Sequence, residues 1–186
     1  MLIVMGTGKL DGLHALITGG GSGIGAATAK VLAEEGTTLI VTARSLDNCR
    51  AVAGELVARG ARALALALDV TDLDAVERGL AAAESMAGPI DWLVTCAGIA
   101  VSSPLRSLRE QEDQCLRHLD VNFHGAAATL LHALPIVKPS AHALLAGISS
   151  IAAWRSGPGA AAYNASKAAL TSFLECLRAE LHDQGV

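Results

Sequence analysis

Residues 18–25 read TGGGSGIG, and this stretch decides the fold. An apolar run over residues 13–18 leads into it, and a helical pattern over residues 23–36 follows at once. A tight turn at the carboxyl end of a strand needs residues that tolerate unusual backbone angles, as glycine does. A phosphate can approach such a backbone closely, and the helix N-terminus offers it free N–H groups and a positive dipole end. The strand–turn–helix order therefore predicts a dinucleotide-binding turn.

Other interpretations of the turn have to be weighed against this one. A P-loop is excluded because no lysine followed by serine or threonine comes after the last glycine. A plain glycine-rich turn and the nucleotide site of a methyltransferase that uses S-adenosylmethionine both stay open from the turn alone. On the dinucleotide interpretation, the turn residues expected to bind the cofactor are Thr18, Gly19, Ser22, Gly23, Ile24 and Gly25.

Outside the turn, short apolar runs alternate with longer helical patterns. The predicted strands cover residues 13–18, 37–43, 62–68, 91–97 and 142–149. The predicted helices cover residues 23–36, 46–59, 72–87, 105–133 and 163–182. Strands of this length that are apolar on both faces suit a buried parallel sheet, and the alternation implies βαβ crossovers. The sequence thus predicts an α/β, doubly wound parallel sheet of the Rossmann type in a single domain, residues 1–186.

Composition and charge exclude several classes of partner. The chain is 52% hydrophobic and carries a formal net charge of −4 without a lysine- or arginine-rich run, so no nucleic acid partner is expected. No apolar stretch approaches the ~18 residues of a membrane span, and no signal peptide is expected. The four cysteines are far apart and indicate free thiols in a reducing compartment. We therefore expect a cytoplasmic protein without a membrane or a metal site.

The ends of the second and third predicted strands carry the residues that distinguish between cofactors. Folds that prefer NAD usually have an acidic residue after the second strand, but this chain has Arg44. A guanidinium can pair with a ribose 2′-phosphate, which favours NADP(H) over NAD(H). A plain surface arginine is the alternative. At the end of the third strand, Asp69 either accepts a hydrogen bond from an adenine amino group or caps the next helix, a role open also to Thr71 or Asp72.

The single tyrosine of the chain lies four residues before a lysine, in the segment YNASK at residues 163–167. On a helix, this spacing places the Tyr163 phenol and the Lys167 ammonium on the same face. A free tyrosine has a pKa of ~10, and an ammonium ~4 Å away would lower the pKa of the phenol toward neutrality. The alternative is a partly buried tyrosine beside a solvated lysine.

These motifs, in this order, resemble those of the short-chain dehydrogenase/reductase family over nearly the whole chain. The match comprises the turn at residues 18–25, Asp69-Val70, Ala97-Gly98, Asn122, Ser150 thirteen residues before Tyr163, and the pair Tyr163 and Lys167. The resemblance implies an oxidoreductase that interconverts an alcohol and a carbonyl by hydride transfer from or to NAD(P). It also implies that these residues bind the cofactor or act in catalysis.

The catalytic roles are carried over residue by residue. The resemblance implies that Tyr163 is the general acid and base and that Lys167 both lowers its pKa and binds the nicotinamide ribose. It implies that Ser150, rather than its neighbour Ser149, polarises the substrate oxygen, and that Asn122 holds a water in a proton relay to Lys167. The alternatives are a turn hydroxyl for Ser150 and, for Asn122, a side chain bonded to a helix carbonyl.

The chain departs from the family pattern in two places. The fourth strand ends in Thr95-Cys96 where the family usually has two asparagines, and we expect Cys96 to be a buried small side chain and not a nucleophile. The chain stops at HDQGV, where a sixth strand is expected, so the C-terminal strands and the substrate lid are missing. A fragment, a natural truncation and completion by a partner chain are the open explanations. The fifth strand is then expected to be an exposed sheet edge.

The remaining expectations concern partners. A small-molecule carbonyl or alcohol is the expected substrate, with residues 101–108 and 154–162 lining part of its pocket. The resemblance implies a homo-oligomer, a dimer or tetramer, if the complete chain exists. The alternative function is a non-catalytic nucleotide-binding or scaffold protein descended from such an enzyme.

Overall fold

The computed structural model describes residues 9–101, 108–137 and 139–186. The strands are β1 (His14–Thr18), β2 (Thr38–Ala43), β3 (Ala63–Ala67), β4 (Trp92–Thr95) and β5 (Leu144–Gly147). The α-helices are α1 (Gly23–Glu34), α2 (Leu46–Ala58), α3 (Leu73–Ala87), α4 (Leu108–Leu119), α5 (Ala126–Val137) and α6 (Ala161–Leu181). A π-helical segment (Asp120–Gly125) joins α4 to α5, and short 3₁₀ turns cover Ile151–Ala153 and His182–Gln184.

The five strands form one parallel sheet in the order β3-β2-β1-β4-β5. The predicted α/β, doubly wound parallel sheet is confirmed. The order reverses direction after β1, which lies between β2 and β4 at the centre of the sheet. In open α/β sheets, ligands bind in the crevice at such a switch point, beyond the carboxyl ends of the strands.

Two apolar clusters cover the two faces of the sheet. On β1, Leu16 packs into one cluster, with apolar residues of α3, α5 and α6. Its neighbours Ala15 and Ile17 pack into the other, with residues of α1 and α2. This alternation is the geometry of a strand covered on both faces, which is why the central strands read as continuous apolar runs. The packing fixes β1 and the turn that follows it.

The helix predicted over residues 105–133 differs most from the structure. Residues 105–107 lie outside the described part of the chain, the π-helical segment divides the helix, and α5 continues to Val137 with Pro135 in its last turn. The hydrophobic pattern of a sequence does not reveal a π-helical turn, because the turn inserts only one extra residue into the helix. Such turns occur frequently at functional sites.

In the described part of the chain, β5 lies at an edge of the sheet. Leu144 is exposed, and the next three residues are half-buried. The expected edge position of the fifth strand is therefore confirmed. None of the described helices has both the length and the apolar character needed to cross a membrane.

Candidate active site

A cleft of about 690 Å³ opens at the carboxyl ends of the central strands. It lies at the switch point of the sheet, and its volume is in the usual range for small-molecule and cofactor sites. Its lining comprises Gly19, Gly21, Ser22, Gly23, Ile24, Gly25, Ala43, Arg44, Ser45, Asn48, Leu68, Asp69, Val70, Cys96, Ala97, Gly98, Ile99 and Val121. The cleft therefore brings together most of the residues that the sequence assigned to the cofactor.

The glycines of the first turn are required by contacts and by backbone angles. Gly19 and Gly23 have φ of 66° and 54°, in the left-handed region that favours glycine. A Cβ at Gly19 would lie 2.6 Å from the Ala97 nitrogen, and one at Gly25 would lie 2.8 Å from the Gly19 carbonyl carbon. Glycine permits this close packing, and without Cβ atoms the backbone of the turn is uncovered at the mouth of the cleft.

The N-terminus of α1 points its unpaired backbone donors at this cleft. The side chain of Ser22, the N-cap residue, makes no capping hydrogen bond. The first N–H groups of a helix have no intrahelical partner, and they bind anions when no side chain caps them. The turn and the helix end thus fit a pyrophosphate.

Thr18 and Ile24 take different positions around the turn. Thr18 is buried, and its hydroxyl accepts a hydrogen bond from the Ala97 N–H at 3.3 Å, which joins the ends of β1 and β4. Thr18 does not line the cleft; its hydroxyl instead holds the start of the turn to the end of β4. Ile24 lines the cleft and is 63% exposed, leaving an apolar side chain at its mouth.

Arg44 and Asp69 line the cleft after β2 and β3, on the side of β1 away from β4. Arg44 is exposed, lines the cleft directly after β2, and has no ion-pair partner among the described residues. Asp69 accepts hydrogen bonds from the N–H and the hydroxyl of Thr71, while Asp72 caps α3 by accepting from the Ala75 N–H. Of the three candidates for that cap, Asp72 is the one that caps the helix.

Sequence reasoning missed two polar residues at this end. Ser45 and Asn48 line the cleft beside Arg44, and the Ser45 hydroxyl caps α2 by accepting from the Asn48 N–H. Ser45 follows the predicted strand 37–43 by two residues, and Asn48 lies in the first turn of the predicted helix 46–59. This junction of strand and helix was the signal that could have identified them. Val70 is buried against Gly125, where a Cβ would lie 2.8 Å from the Val70 carbonyl oxygen.

Ala97 and Gly98 line the cleft, and Gly98 adjoins two of the predicted catalytic residues. A Cβ at Gly98 would lie 3.2 Å from Asn122 Oδ1 and 3.8 Å from Lys167 Nζ. Gly98 therefore connects the cofactor cleft to both side chains, which do not themselves line it. This junction is the structural basis for assigning the two groups of residues to one site.

Cys96 differs from the expectation of a buried side chain. It is partly exposed and lines the cleft. Burial of part of the thiol raises its pKa, an effect that the positive charge of Lys167 opposes. A thiol with a raised pKa is a poor nucleophile near neutral pH. All four cysteines are free.

Asn122 lies in the π-helical segment and is fully buried. Its Oδ1 accepts from the Ile99 N–H at 2.7 Å, and its Nδ2 donates to the Ile99 carbonyl at 2.9 Å and to Ser166 Oγ at 3.0 Å. The side chain therefore anchors the loop after β4 to α6. The carbonyl it bonds belongs to this loop, and not to a helix.

Ser149 and Ser150 point their hydroxyls in different directions. The Ser149 hydroxyl bonds Thr171 Oγ1 on α6, 2.5 Å away. The Ser150 hydroxyl accepts a hydrogen bond from the Ala152 N–H at the start of the 3₁₀ turn, so its own proton is available to another acceptor. This difference supports the choice of Ser150.

Two segments, residues 101–108 and 154–162, were expected to line part of the substrate pocket. The structure describes residues 154–162, with Trp154 73% exposed, whereas residues 102–107 lie outside the described part.

Tyr163 and Lys167 lie in the first two turns of α6, on the same face. Tyr163 is half-buried, and its ring packs edge-to-face against His118. Lys167 is only 6% exposed, and its Nζ donates to the Ile148 carbonyl at 2.7 Å. The alternative of a solvated lysine is therefore wrong. Among the described residues, the phenol and the ammonium do not hydrogen-bond to each other.

Burial lowers the pKa of Lys167 from its ordinary value of 10.5, while its interaction with Cys96 opposes the change. The unfolded chain therefore holds this proton up to a higher pH than the folded chain. The cost of burying the ammonium is fully present below the folded-state pKa, and it fades as the pH rises from there toward 10.5.

We expect this cost to be visible in the Lys167→Met variant. Over the pH range that leads up to 10.5, the free energy of unfolding of the wild type should rise relative to that of the variant. Denaturant unfolding of both chains across this interval measures the difference, in which the titrating groups that do not interact with Lys167 cancel. A difference that stays constant with pH would contradict the assignment.

The fold and the site together define a dinucleotide-binding α/β protein with a buried lysine beside its cleft. A family model described as short chain dehydrogenase matches residues 13–186. The chain belongs to this family, as the motifs predicted.

Individual relatives agree with the family assignment. A short chain dehydrogenase of Pseudocercospora fijiensis is 36% identical over 180 residues, covering 96% of this chain and 58% of that protein. A protein named an uncharacterized oxidoreductase, of Myxococcus xanthus, is 37% identical over 172 residues, covering 92% and 67%. The crystal structure of a short chain dehydrogenase from Mycobacterium smegmatis is 26% identical with a TM-score of 0.89, covering 96% of this chain and 75% of that one.

The chain thus spans 58% of the length of the Pseudocercospora relative. Family membership supports a general oxidoreductase function and a nucleotide cofactor of the NAD(P) type.

Proposed function

We propose that the chain is an NADP(H)-dependent oxidoreductase that interconverts an alcohol and a carbonyl compound. The observation that carries the proposal is the buried Lys167 ammonium beside Gly98, where the nucleotide cleft meets the helix that holds Tyr163. Burying a charge is costly, and ionisable groups with a perturbed pKa cluster at functional sites. We infer that the same lysine serves both the cofactor and the phenol.

The first turn and the cleft fit a dinucleotide. The bare backbone at Gly19 and Gly25 and the uncapped N-terminus of α1 suit a pyrophosphate. Asp69, which lines the cleft, would accept a hydrogen bond from the adenine amino group. Lys167 would hold the nicotinamide ribose. When bound, the cofactor would supply or accept the hydride.

The chain's own residues would handle the proton. During reduction, Tyr163 donates its phenolic proton to the carbonyl oxygen as the carbonyl carbon receives the hydride, and during oxidation the phenolate takes the proton back. The Ser150 hydroxyl donates a hydrogen bond to the same substrate oxygen. The Lys167 ammonium, one helical turn from Tyr163, stabilises the phenolate by its charge.

Asn122 has a positioning role in this scheme. Its side chain holds Ile99, and with it the loop that follows Gly98. The relay water at Asn122 and the homo-oligomer, both implied by the family resemblance, stay predictions.

Turnover distinguishes this function from the alternative of a non-catalytic nucleotide-binding or scaffold protein. The purified chain is supplied with NADPH and a panel of aldehydes and ketones, and with NADP⁺ and a panel of alcohols. Steady, substrate-dependent conversion of the cofactor is the expected result. Cofactor binding without turnover on either panel would contradict the proposal and favour the non-catalytic alternative. The family assignment leaves the methyltransferase interpretation without support.

The preference for NADP(H) rests on Arg44, which is exposed at the cleft beside Ser45 and Asn48. We expect Arg44→Ala to weaken NADPH binding by about tenfold or more, because it removes a charge-assisted hydrogen bond to the 2′-phosphate, and to leave NADH binding nearly unchanged. Arg50→Ala is the matched control, since Arg50 is an exposed arginine of α2 outside the cleft. Equal losses for both cofactors in Arg44→Ala would show that Arg44 has a structural role.

A further inference from the structure

His118 is a buried ionisable side chain that the proposed chemistry does not use. It lies in the last turn of α4 and is 0% exposed. Its Nε2 is 3.1 Å from the Val101 nitrogen, and its Nδ1 is 2.7 Å from the Gln114 carbonyl oxygen. Both ring nitrogens therefore have backbone partners.

These partners determine the form of the imidazole. The Val101 N–H can only donate, so Nε2 must accept. The Gln114 carbonyl can only accept, so Nδ1 must carry the proton. The arrangement thus selects the tautomer in which Nε2 is the acceptor and Nδ1 the donor.

The ring of His118 also contacts the ring of Tyr163. The two centroids are 6.3 Å apart and the ring planes meet at 77°, an edge-to-face arrangement within the preferred range for aromatic pairs. The contact bridges α4 and α6, and it touches the side chain proposed to transfer the proton.

His118 and Asn122 lie four residues apart, and each joins the loop after β4 to α6. His118 holds Val101 and reaches Tyr163, while Asn122 holds Ile99 and reaches Ser166. Two polar side chains thus attach alternate residues of the loop after β4, and both contact the first turns of α6.

We propose that His118 is a positioning residue for Tyr163, holding the phenol ring by edge-to-face contact while its Nε2 fixes the backbone at Val101. The inference deepens the proposed function and rests on it for the role of Tyr163. The chemistry depends on where the phenol oxygen lies, and a displacement of about 1 Å of a reacting group can cost about a hundredfold in rate. A residue that orients the ring should therefore act on kcat.

Two variants separate the two contacts. His118→Gln keeps a hydrogen-bond acceptor for Val101 but removes the ring, so we expect kcat to fall by about tenfold with KM nearly unchanged. His118→Phe keeps a ring against Tyr163 but removes the acceptor, so we expect kcat within about threefold of wild type and a higher KM, because Val101 is released. His132→Ala, which removes an exposed histidine of α5, should match the wild type.

A spectroscopic measurement tests the contact without turnover. The chain has one tyrosine, so isotope labelling of tyrosine gives a single set of ring signals in NMR spectra. In the wild type, we expect nuclear Overhauser contacts between the rings of Tyr163 and His118. The Tyr163 ring signals should shift strongly in His118→Gln, less in His118→Phe, and not at all in His132→Ala.

These readouts also separate this inference from the proposed function. Equal losses of kcat in the Gln and Phe variants, or unchanged kcat in the Gln variant, would overturn the positioning role. Absence of ring contacts in the wild type would overturn it as well. A wild-type chain that turns over no substrate, but shows the ring contacts and the expected order of signal shifts, would refute the proposed function and retain the placement of Tyr163 by His118.

Discussion

Replacing Tyr163 by phenylalanine is expected to reduce turnover by about a thousandfold, within the range of about 10²–10⁴ that a positioned acid or base contributes. The change removes only the hydroxyl that would transfer the proton. The ring remains, so its edge-to-face contact with His118 and the packing of α6 should persist. The measurement is the steady-state rate of NADPH consumption with a carbonyl substrate that the wild type reduces.

The same variant supplies its own control. NADPH binding and the unfolding midpoint of Tyr163→Phe should equal those of the wild type, because the phenol oxygen has no hydrogen-bonded partner among the described residues and does not line the cleft. Wild-type turnover in this variant would show that another group transfers the proton and that the mechanism is wrong.

Replacing Gly25 by alanine is expected to weaken NADPH binding by about a hundredfold and to destabilise the chain by about 1–3 kcal/mol. The added Cβ would lie 2.8 Å from the Gly19 carbonyl carbon and 3.0 Å from the Gly20 Cα. Its neighbours are backbone atoms of the turn, so either the turn or α1 must shift. Such a shift moves the N–H groups that would bind the pyrophosphate. Fluorescence titration with NADPH and denaturant unfolding measure the two effects.

Gly54→Ala is the matched control for this change. Gly54 is also a helical glycine, in α2, but a Cβ there meets nothing within 4 Å. This variant should bind NADPH like the wild type and gain about 0.5–1 kcal/mol of stability, because alanine favours a helix interior over glycine. Similar NADPH affinities for Gly25→Ala and Gly54→Ala would contradict the proposed fit of the first turn.

Much of the fold was predictable because local pattern and tertiary structure agree. Strands buried on both faces give short apolar runs, and each predicted strand contains an observed one, from β1 to β5. The glycines at positions 19, 23 and 25 could be interpreted because each meets a need for positive φ or close approach. The spacing of Tyr163 and Lys167 likewise follows from helix geometry alone.

What the sequence did not predict depends on contacts between distant segments. His118 lies in a polar stretch that reads as a helix surface, and its burial arises only when the loop after β4 and α6 pack against α4. The anchoring of Ile99 by Asn122 has the same origin. Cys96 was predicted to be buried because its strand is apolar. The structure leaves it partly exposed, since its side chain lines the cleft beyond the end of the strand.

The most direct test of the central claim is a titration of the purified 186-residue chain with NADPH and, in parallel, with NADH, followed by nicotinamide fluorescence. The claim is that the cleft at the end of β1 is an NADP(H) site in which Arg44 binds the 2′-phosphate. We predict saturable binding of both cofactors with a clear preference for NADPH. If the soluble, folded protein bound neither NADPH nor NADH, the claim would be contradicted.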